Sequence, residues 1–154
     1  MIRAWRLVQK IHADDAFSGD GARLKGGRWN HKGVSVVYVS ENLALSVLEA
    51  FVNLPGGKSS VPYVYIPIEI PESVSIEELK PAGLLNNWRE LPPPASTKDL
   101  GTNWAKSMRT AILRVPSIII PIEANFVLNT SHPDFKKIKI GNPQVFSFDP
   151  RMWK

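Results

Sequence analysis

Cysteine is absent from the 154 residues, so neither a disulfide framework nor a thiolate metal site can form. Histidine is scarce, and His12, His31 and His132 stand in no HExxH or comparable ligand spacing, so no metal is expected. His132, ahead of a proline in NTSHPDF, reads as a structural residue of a turn. No apolar run approaches the roughly 18 residues a membrane helix needs. The opening MIRAWRLVQK also lacks the apolar core of a signal peptide, which makes a soluble, cytoplasmic protein without membrane contact the expectation. Glycine-rich phosphate turns are missing as well. Neither GxGxxG between a strand and a helix nor GxxxxGK[ST] occurs, which disfavours Rossmann and P-loop nucleotide sites. Ser117 in RVPSIII has no GxSxG elbow around it, so it reads as a hydrogen-bonding hydroxyl for a ligand or a carboxylate rather than a nucleophile.

What is present is ordinary globular composition, 44% hydrophobic and 21% charged in 17.2 kDa, enough for one domain with its own core. No repeat, low-complexity tract or linker divides the chain, so a single domain over residues 1–154 is expected. The net charge of +5 is uneven. Residues 1–40 hold seven Lys/Arg against three Asp/Glu and residues 91–154 hold nine against four, while residues 41–90 hold three against seven. Basic ends favour an anionic ligand or partner, although a solvated surface with surplus lysine has the same signature. An RNA binder or RNase stays open on charge alone.

The pattern of elements alternates strands and helices, which supports a mixed α/β domain. Ile2–Val8, Val34–Val39 and Pro62–Ile70 read as strands. Between them His12–Lys25 reads as a polar loop. Ser40 reads as an N-cap with Glu41 in the first turn of a helix whose Ala44, Val47, Leu48, Phe51 and Val52 share a face and which the PGG at 55–57 stops. Residues 71–100 read as irregular, with one helical turn near Ile76–Leu79. Thr97 is expected to cap a helix carrying Trp104, Met108 and Ile112, followed by a buried strand at SIIIPIE and a turn-rich connector from Asn125 to Asp134. Short strands at Ile138–Ile140 and Val145–Phe148 close the chain, and Lys136, Lys137 and Lys139 read as a solvated strand face.

Two positions suggest chemistry. Arg28 follows Gly26 and Gly27, which let a backbone turn tightly or approach a ligand. Its guanidinium suits a pyrophosphate or carboxylate, with Trp29 and Tyr38 as flat faces for a heterocycle. A surface ion pair with Trp29 in the core fits the same residues. Glu49 falls at the edge of the apolar face of its helix, half-buried. A carboxylate there either reaches into a cleft and stabilises a developing oxocarbenium ion, or it snorkels to solvent.

The segments FSGDGARLKGGRWNHKGVSVVYVSENLALSVLEAF, LGTNWAKS, LRVPSIIIPIEANFVLNTSHPDF and FDPR, in this order, resemble the RES domain. That family is the toxin half of bacterial RES–Xre type II toxin–antitoxin systems. The likeness runs from about Trp5 to Arg151. At NTSHPDF the chain departs from the family pattern, where an Asn-Pro is usual before the His-Pro. The resemblance implies a compact α/β fold like that of ADP-ribosyltransferases, with small split sheets and flanking helices. It also implies an NAD-consuming enzyme that cleaves the nicotinamide–ribose bond by hydrolysis or phosphorolysis, or that transfers ADP-ribose to a protein. By the same resemblance Arg28, Tyr38, Glu49 and Ser117 are the catalytic set. Gly27, Trp29, Asn30, Asn125 and Asn129 are second-tier candidates for walls and hydrogen bonds to NAD. The implied partner is an Xre-family antitoxin that occludes the NAD cleft, with nucleic acid contacted only through it.

Overall fold

The structure, a computed structural model, describes residues 1–153. It is a mixed α/β domain. Eight strands, β1 (Ile2–Gln9), β2 (Val36–Ser40), β3 (Tyr63–Ile70), β4 (Ile76–Glu78), β5 (Ile112–Pro116), β6 (Ala124–Asn129), β7 (Lys139–Ile140) and β8 (Gln144–Phe146), form one sheet. Its order is β4-β5-β6-β2-β1-β3-β7, with β8 also on β3. Three helices accompany it, α1 (Asp20–Lys25), α2 (Leu43–Phe51) and α3 (Ala95–Ser107). Only β4 and β5 run parallel; the other pairs are antiparallel.

All eight strands belong to one sheet rather than to small split sheets, but the sheet narrows sharply at its middle. Strands β1 and β3 pair along eight positions and β2 and β6 along five, yet β1 meets β2 only at Trp5 opposite Ser40. Beyond that pair the halves splay, and the side chain of Arg6 fills the opening. It donates from Nη1 to the Tyr38 carbonyl at 2.8 Å and from Nε to the Ala16 carbonyl at 2.6 Å. Burial pulls the Arg6 pKa down to about 10, with Asp15 opposing the shift. Helix α2 closes the same seam, its Ser46 Oγ donating to the Trp5 carbonyl at 3.0 Å.

Alternation along the central strands feeds both faces of the sheet. Val37, Val39, Phe126, Leu128 and Ile112 join Ala4, Ile68 and Ile70 in one apolar cluster. Val36, Val127, Leu113 and Val115 point the other way, against Trp29, Trp88 and Trp104. Helix α3 comes so close there that a Cβ on Gly101 would lie 1.8 Å from the Trp29 carbonyl oxygen. Glycine is therefore obligatory at that contact.

Several expectations are corrected. The loop at 12–25 contains helix α1. Helix α2 is capped by Asn42, whose Oδ1 accepts from Leu45 N at 2.7 Å, not by Ser40; Glu41 precedes the helix and accepts instead from Ala124 N and Arg114. Ile76–Leu79 is no helical turn. Pairing with β5 and ion pairs of Glu77 with Arg109 and Glu78 with Arg114 draw it into β4. Helix α3 starts after Pro94, one turn before Thr97, and ends at Ser107. Met108 then turns left-handed at φ 59°, and Ile112 opens β5. The buried strand therefore precedes SIIIPIE, whose proline-flanked residues form a turn with Ile122 93% exposed. The expected connector at 125–134 begins as β6, between β5 and β2, because the two asparagines that suggested turns have side-chain partners in the fold. The short closing strands are found at β7 and β8, and Lys136 and Lys137 lie in a 3-10 turn before β7.

Replacing Arg6 with Met takes the donor from two inward carbonyls. The expected outcome is a loss of about 1–3 kcal/mol in unfolding free energy, read from urea denaturation. An unchanged midpoint would mean the seam is held by backbone pairing and α2 alone.

Candidate active site

Helix α2 crosses the seam and presents Glu49, one turn beyond the docked Ser46, to the ends of β5 and β6. Ser117 lies in the turn after β5 and is fully buried. Its Oγ accepts from Ile119 N at 3.1 Å and Ile120 N at 3.2 Å, which leaves its proton for Glu49 Oε1 at 2.7 Å. Asn125 at the start of β6 donates from Nδ2 to the same Oε1 at 2.9 Å. Asn125 is itself held, since Ser40 Oγ donates to its Oδ1 at 2.6 Å. Both bonds to the carboxylate thus converge on one oxygen, and among the described residues no side chain donates to Oε2. The half-buried carboxylate is fixed in orientation with an acceptor to spare.

The GGRWN stretch turns back on itself through a Gly27–Asn30 bridge, with Gly27 N on the Asn30 carbonyl at 3.0 Å. The hub of the turn is Asn30, fully buried, whose Nδ2 faces the carbonyls of Ala22, His31 and Val34 at 2.9 to 3.3 Å. Its Oδ1 accepts the Tyr38 hydroxyl at 2.6 Å, while that hydroxyl accepts from Trp29 N at 3.2 Å. Burial holds the Tyr38 phenol well above its usual range, so it stays a neutral donor. Gly27 makes room for this ring, because a Cβ there would meet Tyr38 Oη at 2.7 Å and Asn30 Oδ1 at 2.9 Å.

Arg28, at the tip of the turn, is half-buried. Its Nη1 donates to the carbonyls of Trp88 and Glu90, both at 2.8 Å. Burial lowers its pKa, and the charge of Glu49 and the nearby Tyr38 oppose the shift. A guanidinium remains cationic through such a change. Arg89 ties the same segment to the turn beyond Ser117, with Nη2 on the Ile118 carbonyl at 2.5 Å.

The structure therefore brings Arg28, Tyr38, Glu49, Ser117 and Asn125 into one neighbourhood, with Gly27 beside Tyr38. Trp29 is turned into the core and Asn30 beneath the turn, so both support the site from behind. Asn129 lies four residues along β6, about 13 Å from Asn125. Its amide is occupied by the Ala105 carbonyl at 2.9 Å and by Ser131 N at 3.0 Å, a structural position. Three participants escaped sequence reasoning. The Trp88 and Glu90 carbonyls have no side-chain signature, and Ser40 looked like a helix cap because it ends a strand just before a helix. Two concavities lie elsewhere. One of about 330 Å³ is bordered by Glu78, Arg114 and Ile122, and one of about 490 Å³ by Asp14, Asp15 and Phe17. Neither touches Glu49. Among the described residues no group of three His, Cys, Asp or Glu side chains is placed to hold a metal ion, and no helix is long and apolar enough to cross a membrane.

A mixed sheet joined at one narrow seam, with a helix-borne carboxylate there and an arginine turn nearby, defines an α/β domain built around one oriented carboxylate. More narrowly, residues 3–149 match the model of the RES domain, and the chain belongs to that family. It is 39% identical over 152 residues to the "Prs ADP-ribosylating toxin" of Sphingobium sp. (strain YBL2), covering 96% of this chain and 94% of that protein. It is 36% identical over 149 residues to a "Toxin Res" of Yersinia enterocolitica, covering 96% of this chain and 97% of that one. A chain in the crystal structure of the M. tuberculosis MbcT–MbcA toxin–antitoxin complex shares the fold, with a TM-score of 0.78 at 17% identity over 95% of this chain and 84% of that one.

The tyrosine hydroxyl and the missing Cβ of Gly27 compete for one space, so their substitutions should couple. Gly27→Ala is expected to cost about 1–3 kcal/mol in stability. The same change in a Tyr38→Phe background should cost measurably less, since the nearest atom it meets is gone, although Asn30 Oδ1 at 2.9 Å and the ring edge at 3.1 Å remain. Additive effects in denaturant titrations of the four proteins would refute the packing assigned to this turn.

Proposed function

We propose that the protein is the toxin of a type II toxin–antitoxin pair and that it cleaves the nicotinamide–ribose bond of NAD in the bacterial cytoplasm. The observation that carries this reading is the Glu49 carboxylate, oriented through Oε1 by Ser117 and Asn125 and lying within the field of Arg28. The ring nitrogen of nicotinamide is positively charged in NAD. It departs as a neutral molecule with the bonding electron pair, and no general acid has to protonate it. Positive charge then develops on the ribose as an oxocarbenium-like centre. Glu49, through Oε2, engages the ribose hydroxyls and stabilises that charge. Arg28 uses its remaining N–H groups on the pyrophosphate, Tyr38 borders the nicotinamide, and Ser117 keeps Glu49 in place. Water or phosphate adds to the ribose carbon, and a water nucleophile gives up its proton to bulk solvent as ADP-ribose forms. Loss of NAD arrests growth.

A second reading has a specific support. The relative from Sphingobium is named for ADP-ribosylation, and the same charge development serves a protein side chain as acceptor in place of water. The solved neighbour is part of a toxin–antitoxin complex, which supports an antitoxin partner here. We assign that partner to the Xre class, seated over the NAD cleft.

Nicotinamide release from NAD by the purified protein tests the reading. Wild type should release it, and Glu49→Ala and Arg28→Ala should each lower the rate at least about a hundredfold. Equal rates in all three proteins would sink the site assignment. Assays with and without phosphate distinguish the acceptors by product, ADP-ribose or its 1″-phosphate, and label retained on added protein would favour the transferase.

A further inference from the structure

Resting on the NAD-cleavage reading, we propose that Ser40 and Asn125 act together as a positioning relay for Glu49, so that Asn125 serves the carboxylate and not the ligand. The chain of bonds has one direction. Ser40 Oγ donates to Asn125 Oδ1 at 2.6 Å, which commits the other end of the amide, Nδ2, to Glu49 Oε1 at 2.9 Å. Rotating the amide by a half-turn would set its oxygen against the carboxylate oxygen, two acceptors with no proton between them. The Ser117 hydroxyl, filled on its acceptor side by Ile119 N and Ile120 N, repeats the arrangement from the adjoining end of β5. Two oriented donors therefore arrive at Oε1, and Oε2 is kept free for the substrate. Every link is short, and Ser40, at 4% exposure, is shielded from competing water. Ser40 also forms the single backbone pair that joins the sheet halves, so the relay begins at the most constrained point of the seam.

A relay of this kind affects the chemical step more than substrate binding. For Ser40→Ala, kcat for nicotinamide release is expected to fall about ten- to a hundredfold while KM for NAD changes less than about twofold, with the thermal midpoint of the variant recorded alongside. Asn125→Asp places a second carboxylate against the first. The pair then shares a proton, and the acidic limb of the kcat–pH profile should move to higher pH. A Ser40→Ala enzyme whose kcat falls only in proportion to its folded fraction, or whose loss lies in KM, overturns the relay. So does an Asn125→Asp profile superimposable on wild type. A readout independent of turnover separates this proposal from the NAD reading itself. Hydrogen exchange of the Asn125 side-chain amide, followed by NMR, should accelerate in Ser40→Ala. If wild type releases no nicotinamide, the NAD reading fails and the amide exchange still decides the relay. Unchanged exchange refutes it.

Discussion

The near-division of the sheet between β1 and β2 is the constraint on which the rest of the molecule turns. The two halves, one antiparallel throughout and the other carrying the parallel β4–β5 pair, meet at Trp5 and Ser40 and then diverge, which leaves backbone groups of β1 and β2 without ladder partners. Arg6 and Ser46 answer that need from opposite sides of the seam, one by reaching the Tyr38 and Ala16 carbonyls and the other by reaching Trp5. The opening is thus a wedge with fixed walls. Helix α2 lies across its closed end, and the direction of that helix is what aims Glu49 at the ends of β5 and β6.

Given the wedge, the site follows from satisfying polar groups that the fold brings inward. Ser117, Asn125, Ser40 and Asn30 are all hydrogen-bonded, and among the described residues no buried side-chain nitrogen or oxygen is left without a partner. Polar groups at this depth hold geometry because a misplaced one loses its bond without gaining water. Aromatic packing on the same face adds stiffness. Trp29, Trp88 and Trp104 back the arginine turn, and Gly101 lets α3 press directly on it.

Much of this was legible in the sequence. Strands β2 and β3 announce themselves as β-branched runs, β1 by an imperfect alternation, and α2 by its apolar spacing. Arg28 was marked by its glycines and Glu49 by its place at the margin of the apolar face. The chain between 108 and 134 was misplaced by about one element, for a definite reason. Three consecutive isoleucines weigh heavily in a hydropathy reading, whereas Ser117 Oγ captures two backbone N–H groups and bends those isoleucines into a turn. Asn125 and Asn129 pointed to a connector because asparagine favours turns, yet tertiary partners hold both in a strand. The carbonyls that hold Arg28 belong to backbone, which no residue type reveals. The family is carried by long motifs in a fixed order along the chain, and the RES domain spans residues 3–149.

The interior position of β6 carries a consequence for synthesis. That strand lies between β5 and β2, although it follows β2 by more than eighty residues in the chain. A nascent chain that has left the ribosome only as far as α3 already displays the arginine turn and the glutamate helix, but not Ser117 or Asn125. The two donors that orient Glu49 are made only after α3 and need β6 to insert beside a strand made much earlier. The constellation is thus complete only once β6 is in place, and a product that stops before Ser117 lacks both donors.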